Sequence, residues 1–119
     1  MLEKVDVTIA DAKHPITSGM KEFTTREEFY YRLKLPKGEH AVKPLLKAVI
    51  DGEKEIVAWS WERPDGGRSF GFTGLHFHEN WKREEYRRLL SQGALWTVKL
   101  PIPEKGLNVD LPDSAFQLK

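Results

Sequence analysis

Cysteine is absent from the 119-residue chain. That excludes disulfides, zinc–thiolate centres and thiol nucleophiles, and leaves the redox compartment open. Long apolar runs are missing too. None approaches the ~20 residues that span a bilayer, and Met1-Leu2-Glu3-Lys4-Val5-Asp6 has no apolar core of a signal peptide. No membrane association is expected, and the cytoplasm is the default compartment. An excess of one charge is also lacking: 19 Lys and Arg against 18 Asp and Glu leave a formal charge of +1. Nucleic acid is therefore not an expected partner, because a polyanion needs a concentrated basic field. No G-x-G-x-x-G, P-loop, G-x-S-x-G or H-E-x-x-H occurs, which leaves nucleotide binding and serine hydrolysis without local support.

What is present is enough for one core. Hydrophobic residues make up 39% of the chain and aromatics 11%, and a domain of this size buries about two thirds of its unfolded surface. Val5 to Ala10 alternates and is β-branched, a short strand. His14-Pro15 and Ser18-Gly19 punctuate a loop. Thr24 to Glu28 reads as one capped helical turn, and Phe29 to Leu35 as a strand. A three-stranded meander follows, over about 42–50, 55–63 and 68–75, turned at Asp51-Gly52 and at Pro64-Asp65-Gly66-Gly67. In its middle strand Val57, Trp59 and Trp61 alternate with smaller residues, which predicts one shared face, with the tryptophans packed under a helix. From Asn80, an expected N-cap, the period changes: Tyr86, Leu89, Leu90, Gly93 and Trp96 form a helical apolar stripe. Glu84 and Arg88 are spaced as an ion pair. The helix is expected to stop before Pro101.

Histidine is the side chain that titrates near neutrality by default. His76 and His78 lie at i and i+2, on one face if the segment is extended, where they would flank a substrate hydroxyl or, with a third ligand from Glu79, Glu28 or His14, hold a divalent metal. No metal or other cofactor is otherwise implied. The plain alternative is that both histidines close a loop. His14, in its Pro-containing turn, either orders the turn or lines a site. Glu27-Glu28 fit a solvated helix start better than an acid–base pair, which needs a raised carboxyl pKa. Trp96 belongs to the core. Trp81, at a loop–helix junction, is the tryptophan placed to wall a pocket.

The order of short motifs carries a resemblance: His14-Pro15-Ile16-Thr17-Ser18-Gly19, Glu27-Glu28-Phe29-Tyr30, Lys43-Pro44-Leu45-Leu46, Ile56-Val57-Ala58-Trp59, Gly66-Gly67-Arg68-Ser69-Phe70, Thr73-Gly74-Leu75-His76, and Arg88-Leu89-Leu90 with Ala94-Leu95-Trp96. This succession, over about residues 5–98, resembles the trehalose-utilisation (ThuA-like) family. The resemblance implies an α/β domain similar to the class I glutamine amidotransferase fold and a link to sugar metabolism. It covers the C-terminal half of the family's domain. The isolated chain should therefore form a mixed, mainly antiparallel sheet with a packed C-terminal helix, α+β in appearance, over 1–100, followed by an extended proline-containing tail over 101–119. Without cysteine the likeness to amidotransferases extends to the fold and not to their thioester chemistry. By the resemblance His76 matches the family's late-strand histidine, and Glu28, Trp59 and Arg68 match other recurrent positions. Leu75 stands where a glycine is expected.

The combined expectation is a carbohydrate-type ligand, with His76, His78 and Glu28 nearest the chemistry and Trp81, Trp59, Arg68 and His14 binding substrate. Half a sheet leaves an exposed edge. A homo-oligomer, or a second chain supplying the N-terminal half, would cover it. The alternative is a non-catalytic binding or assembly module that pairs through that edge.

Overall fold

The computed structural model describes residues 2–112 and residue 115. Five strands, β1 (Leu2–Ile9), β2 (Phe23–Glu27), β3 (Lys43–Ile50), β4 (Glu53–Glu62) and β5 (Arg68–Phe72), form one sheet in the order β2-β1-β3-β4-β5. All four pairings are antiparallel. One helix, α1 (Glu84–Thr97), follows the sheet and packs against β5, giving an α+β domain.

Two bulges set which residues reach the core. Pro44 pairs with Trp59 and Leu46 with Ala58, so two steps on β3 match one on β4. The imbalance reverses between the Leu46–Ala58 and Lys47–Ile56 pairs. Each extra residue turns two consecutive side chains inward: Leu45 with Leu46, and Val57 with Ala58, all fully buried. They join Val5, Val7, Ala48, Ile50, Phe29, Leu89 and Trp96 in one cluster between sheet and helix.

The face toward α1 is fixed by ring contacts. Phe70 lies against Gly93, where no Cβ would fit, and Tyr86 meets Phe72 at 5.5 Å and Phe23 at 5.7 Å between centroids. Ser60 pairs with Phe70 and Ala58 with Phe72, so Trp59 and Trp61, alternating with them, point away from the helix. This corrects the expected packing of both tryptophans beneath it. The Trp59 ring lies over Gly71, and the Trp61 indole donates to the His40 carbonyl at 2.7 Å. Val57 parts from them because the bulge turns it inward.

Three local expectations also change. Thr24 to Glu28 is not a helical turn: Thr24 to Glu27 belong to β2 and Glu28 follows it, with Phe23, Thr25 and Glu27 facing inward and Thr25 and Glu27 buried. Phe29 to Leu35 is not a strand. Arg32 adopts φ +56°, which breaks a pleat, and the segment instead sends Phe29 against Phe72 at 6.2 Å while leaving Tyr30 exposed. Asn80 caps no helix. It is buried in a 3-10 turn, His78–Lys82, and α1 begins after Arg83.

Of the expected helical stripe Tyr86, Leu89, Gly93 and Trp96 are buried and Leu90 is half-buried, and Arg88 lies 3.7 Å from Glu84. Lys99 at φ +61° turns the chain out of the helix: its N–H reaches the Trp96 carbonyl and that of Leu100 the Leu95 carbonyl, the paired bonds of a Schellman end. Residues 101–112 then run without regular structure back along α1. Leu107 N–H donates to Gln92 Oε1 at 2.9 Å, Arg87 Nε to the Val109 carbonyl at 2.8 Å, and Arg88 Nε to the Leu107 carbonyl at 3.0 Å. Gln92, fully buried, also donates to the carbonyls of Ile16 and Ser18, so one side chain joins helix, tail and the 14–19 loop. Positions 113–114 and 116–119 of the expected tail lie outside the described residues. Among the described residues no helix is long and apolar enough to cross a membrane.

Candidate functional site

The seven residues singled out from sequence fall in four places. The first holds His76 and Glu28, whose Nε2 and Oε2 stand 3.1 Å apart with both side chains about half exposed. Phe77 meets the imidazole edge-on at 4.8 Å, and the Arg26 guanidinium lies 4.0 Å from the centre of the Phe77 ring while its Nη1 pairs with Glu79 at 3.1 Å. A carboxylate that accepts from an imidazole fixes the orientation of the ring and the nitrogen that carries the proton.

Both members of the pair donate their backbone N–H groups to Glu27, a residue whose sequence context fits a solvated helix start. Glu27 has no exposed surface. Its Oε1 accepts from the backbone N–H of Glu28 at 3.1 Å and of His76 at 3.0 Å. Its Oε2 accepts from the Tyr86 hydroxyl at 2.6 Å, Leu75 N–H at 2.8 Å and Asn80 Nδ2 at 3.1 Å. All five partners donate, which suits an acceptor-only carboxylate. Asn80 is spent locally as well, donating to the Arg26 carbonyl at 2.9 Å and accepting from Thr25. Burial and donation to Glu27 push the Tyr86 phenol far above its ordinary range. Leu75 sits at φ +66°, a left-handed conformation costly for a branched L-residue, which accounts for the glycine expected at that place. The signal available in the sequence was the inward phase of Phe23, Thr25 and Glu27, and the Thr-Thr-x-Glu pattern of a helix start masked it.

His78 does not share a face with His76. The 3-10 turn begins at His78 and carries it into a separate cleft with Trp81. That cleft, of about 540 Å3, lies between the turn, α1 and the tail, and is lined by His78, Trp81, Arg87, Ser91, Asn108 and Asp110 among others. Its size is typical of small-molecule sites, ~300–1,000 Å3. Arg87 ties its walls together, donating from Nη1 to the Trp81 carbonyl at 2.7 Å and from Nε to that of Val109. Trp81 keeps 37% of its surface exposed. Arg87, Ser91 and Asp110 were missed in the sequence because only the tail's return along α1 brings them together. The metal option at His76 and His78 loses its geometric basis with the shared face, and among the described residues no group of three or more His, Asp or Glu could hold a metal ion.

The other three residues stand elsewhere. His14 and Arg68 flank Trp96: His14 at 5.2 Å between ring centroids, and the Arg68 guanidinium 4.6 Å over the indole while donating to the Trp96 carbonyl. His14 Nδ1 accepts from Ile16 N–H at 3.1 Å and caps the 3-10 turn Pro15–Thr17. Trp59 lies on the far face of the sheet.

His14 gives a pH prediction. Burial holds its imidazole below the ordinary value of 6.5, with Lys43 and Arg68 adding to the effect and Asp11 and Glu62 opposing it. The folded state then binds fewer protons than the unfolded chain, so this contribution to stability is complete above pH 6.5 and declines as pH falls from 6.5 toward the depressed folded value. Urea midpoints measured across that window should fall with acid in the wild type. His14→Asn, whose amide oxygen can still accept from Ile16 N–H, should fall less steeply; equal slopes would contradict the assignment.

Over residues 2–97 the chain matches the family model described as ThuA, trehalose utilisation. No curated protein and no solved structure matches it significantly.

Proposed function

This chain belongs to the trehalose-utilisation (ThuA) family, and from that membership and the geometry above we propose that it binds a carbohydrate-type ligand against Trp81. The observation that carries the reading is the cleft itself: a half-exposed indole beside His78, Ser91, Asn108 and Asp110. An aromatic face takes the C–H surface of a sugar ring, and a few convergent polar groups take its hydroxyls. The His76–Glu28 pair, on the segment that leads into the same 3-10 turn, is the acid–base chemistry available to such a ligand. His76 would act as proton donor or hydrogen-bond partner to a hydroxyl, oriented by Glu28. His14, Arg68 and Trp59 do not line the Trp81 cleft and are assigned no contact with this ligand. Calorimetric titration with mono- and disaccharides tests the proposal: heat of binding is expected in the wild type and at least a tenfold loss of affinity in Trp81→Ala. No heat with any sugar would overturn it.

A second reading is favoured by the far face of the sheet. Helix α1 covers one face, while Val49, Ile56, Trp59 and Trp61 remain half-buried on the other, and β2 and β5 are the sheet edges. In an α/β domain like that of the class I glutamine amidotransferases both faces are covered. The chain then acts as the C-terminal half of such a domain, completed by a second copy or by a chain that supplies the rest. On this reading it is an assembly module rather than a catalyst, and its place in a cytoplasmic sugar-handling system depends on that partner. Light scattering after size-exclusion chromatography distinguishes the two: a dimer supports assembly, and a clean monomer that binds sugar supports the ligand reading alone.

A further inference from the structure

We infer that Glu27 is the positioning residue of the His76–Glu28 pair, acting through one carboxylate oxygen that holds the backbones of both members. The inference rests on reading that pair as the site's acid–base chemistry. Glu28 and His76 come from different ends of the fold, the first just past β2 and the second on the connection after β5. Neither segment is held in the sheet ladder at these residues. Thr73 Oγ1 donates to the Tyr30 carbonyl at 2.8 Å between the same two segments, but at the pair itself the bonds converge on Glu27 Oε1, which accepts from Glu28 N–H and His76 N–H together. With both N–H groups fixed on one atom, the two Cα positions are set, and the side chains that project from them meet at 3.1 Å.

The second oxygen explains why the first stays put. Oε2 is anchored from three directions by Tyr86, Asn80 and the Leu75 N–H, two of them from the 3-10 turn and α1, so the carboxylate cannot swing without breaking bonds to the core. The left-handed turn at Leu75 is part of the same device, since it presents the N–H groups of Leu75 and His76 to the two oxygens of one carboxylate. The five donors offset the desolvation cost of this buried carboxylate, and an apolar side chain of the same volume would leave all five without their acceptor. A merely structural Glu27 would hold the strand and the helix together and leave the pair indifferent to it.

Crystal structures of Glu27→Gln and Tyr86→Phe, each with a urea melt, separate the two roles. Glu27→Gln places an NH2 group among donors. The inference predicts that its His76–Glu28 separation opens beyond about 4 Å, outside ion-pair range, with the sheet and α1 unchanged. Tyr86→Phe removes one Oε2 donor and should lower stability while keeping the pair in contact. A folded Glu27→Gln protein with the pair still closed would overturn the inference. If that variant does not fold, hydrogen exchange on the wild type decides instead: the Glu28 and His76 amides should show the same protection, slowed about tenfold or more relative to the neighbouring exposed amides. A freely exchanging His76 amide would overturn it. None of these readings uses a ligand, so a failure to bind sugar leaves the inference standing, and a closed pair in Glu27→Gln leaves the carbohydrate proposal standing.

Discussion

Replacing Glu27 with alanine should cost about 3–5 kcal/mol of folding stability, from urea denaturation read by tryptophan fluorescence. The substitution leaves the Tyr86 hydroxyl and the Asn80 amide facing a buried void, and strips the N–H groups of Glu28, Leu75 and His76 of their acceptor. An unsatisfied buried donor costs about 1–3 kcal/mol, and some of these N–H groups recover part of that from water. The whole domain has on the order of 5–15 kcal/mol to lose, so the variant should sit near the edge of folding. A change under about 1 kcal/mol would mean that the network relaxes around the loss and that Glu27 is not the keystone of the segment from Leu75 to Tyr86.

Gly19→Ala should be the other large effect, and a selective one. Gly19 adopts φ +73°, and a Cβ there would fall on the backbone carbonyl of Lys105. A Cβ on the opposing Gly106, at φ +86°, would likewise collide with the Ser18 carbonyl. Two backbones touch at that point with no side chain between them. An alanine meets both a left-handed conformation, about 1–2 kcal/mol, and overpacking, about 1–3 kcal/mol. The cheapest relief is for the tail to lift away, since residues 101–112 are held by side chains of α1 and not by a ladder. Loss of the tail removes Asn108 and Asp110 from the cleft. The expected result is a folded core, amide exchange speeded over residues 105–111, and sugar affinity reduced together with it. Unchanged tail protection would show that the contact tolerates a methyl group.

How much was legible in the sequence follows from where each interaction partner lies. Val5 to Ile9, Lys43 to Ile50 and Glu53 to Glu62 lie in strands whose signal is local alternation, although β1 begins earlier, at Leu2, and ends before Ala10, and Asp51-Gly52 and Pro64–Gly67 announce their own turns. The helix from Glu84 carries its stripe within fourteen residues. What failed depended on distant partners. The run Lys43-Pro44-Leu45-Leu46 is compatible with either phase, and only the register of β4 shows that a bulge turns Leu45 and Leu46 in together. Phe29 to Leu35 alternates like a strand, but Arg32 at φ +56° breaks the pleat and the segment enters none of the four sheet pairings. Glu27 reads as a helix-start carboxylate because its five donors come from residues 28 and 75–86. The link between His76 and Glu28 was suggested by the order of family motifs. The separation of His76 from His78 was not, because a 3-10 turn at His78 has no signature in Phe77-His78-Glu79-Asn80.

The proposal joins the family match over residues 2–97 to the cleft beside Trp81: in it the exposed indole, the polar side chains around it and the nearby imidazole–carboxylate pair would serve a sugar. Amide shift mapping of the 15N-labelled chain during titration with a disaccharide tests it most directly. The account predicts saturable shifts at His78, Trp81, Ser91 and Asn108 to Leu111, extending to His76 and Glu28. Shifts confined to the Trp59 face of the sheet, or none at all up to millimolar sugar, would contradict it.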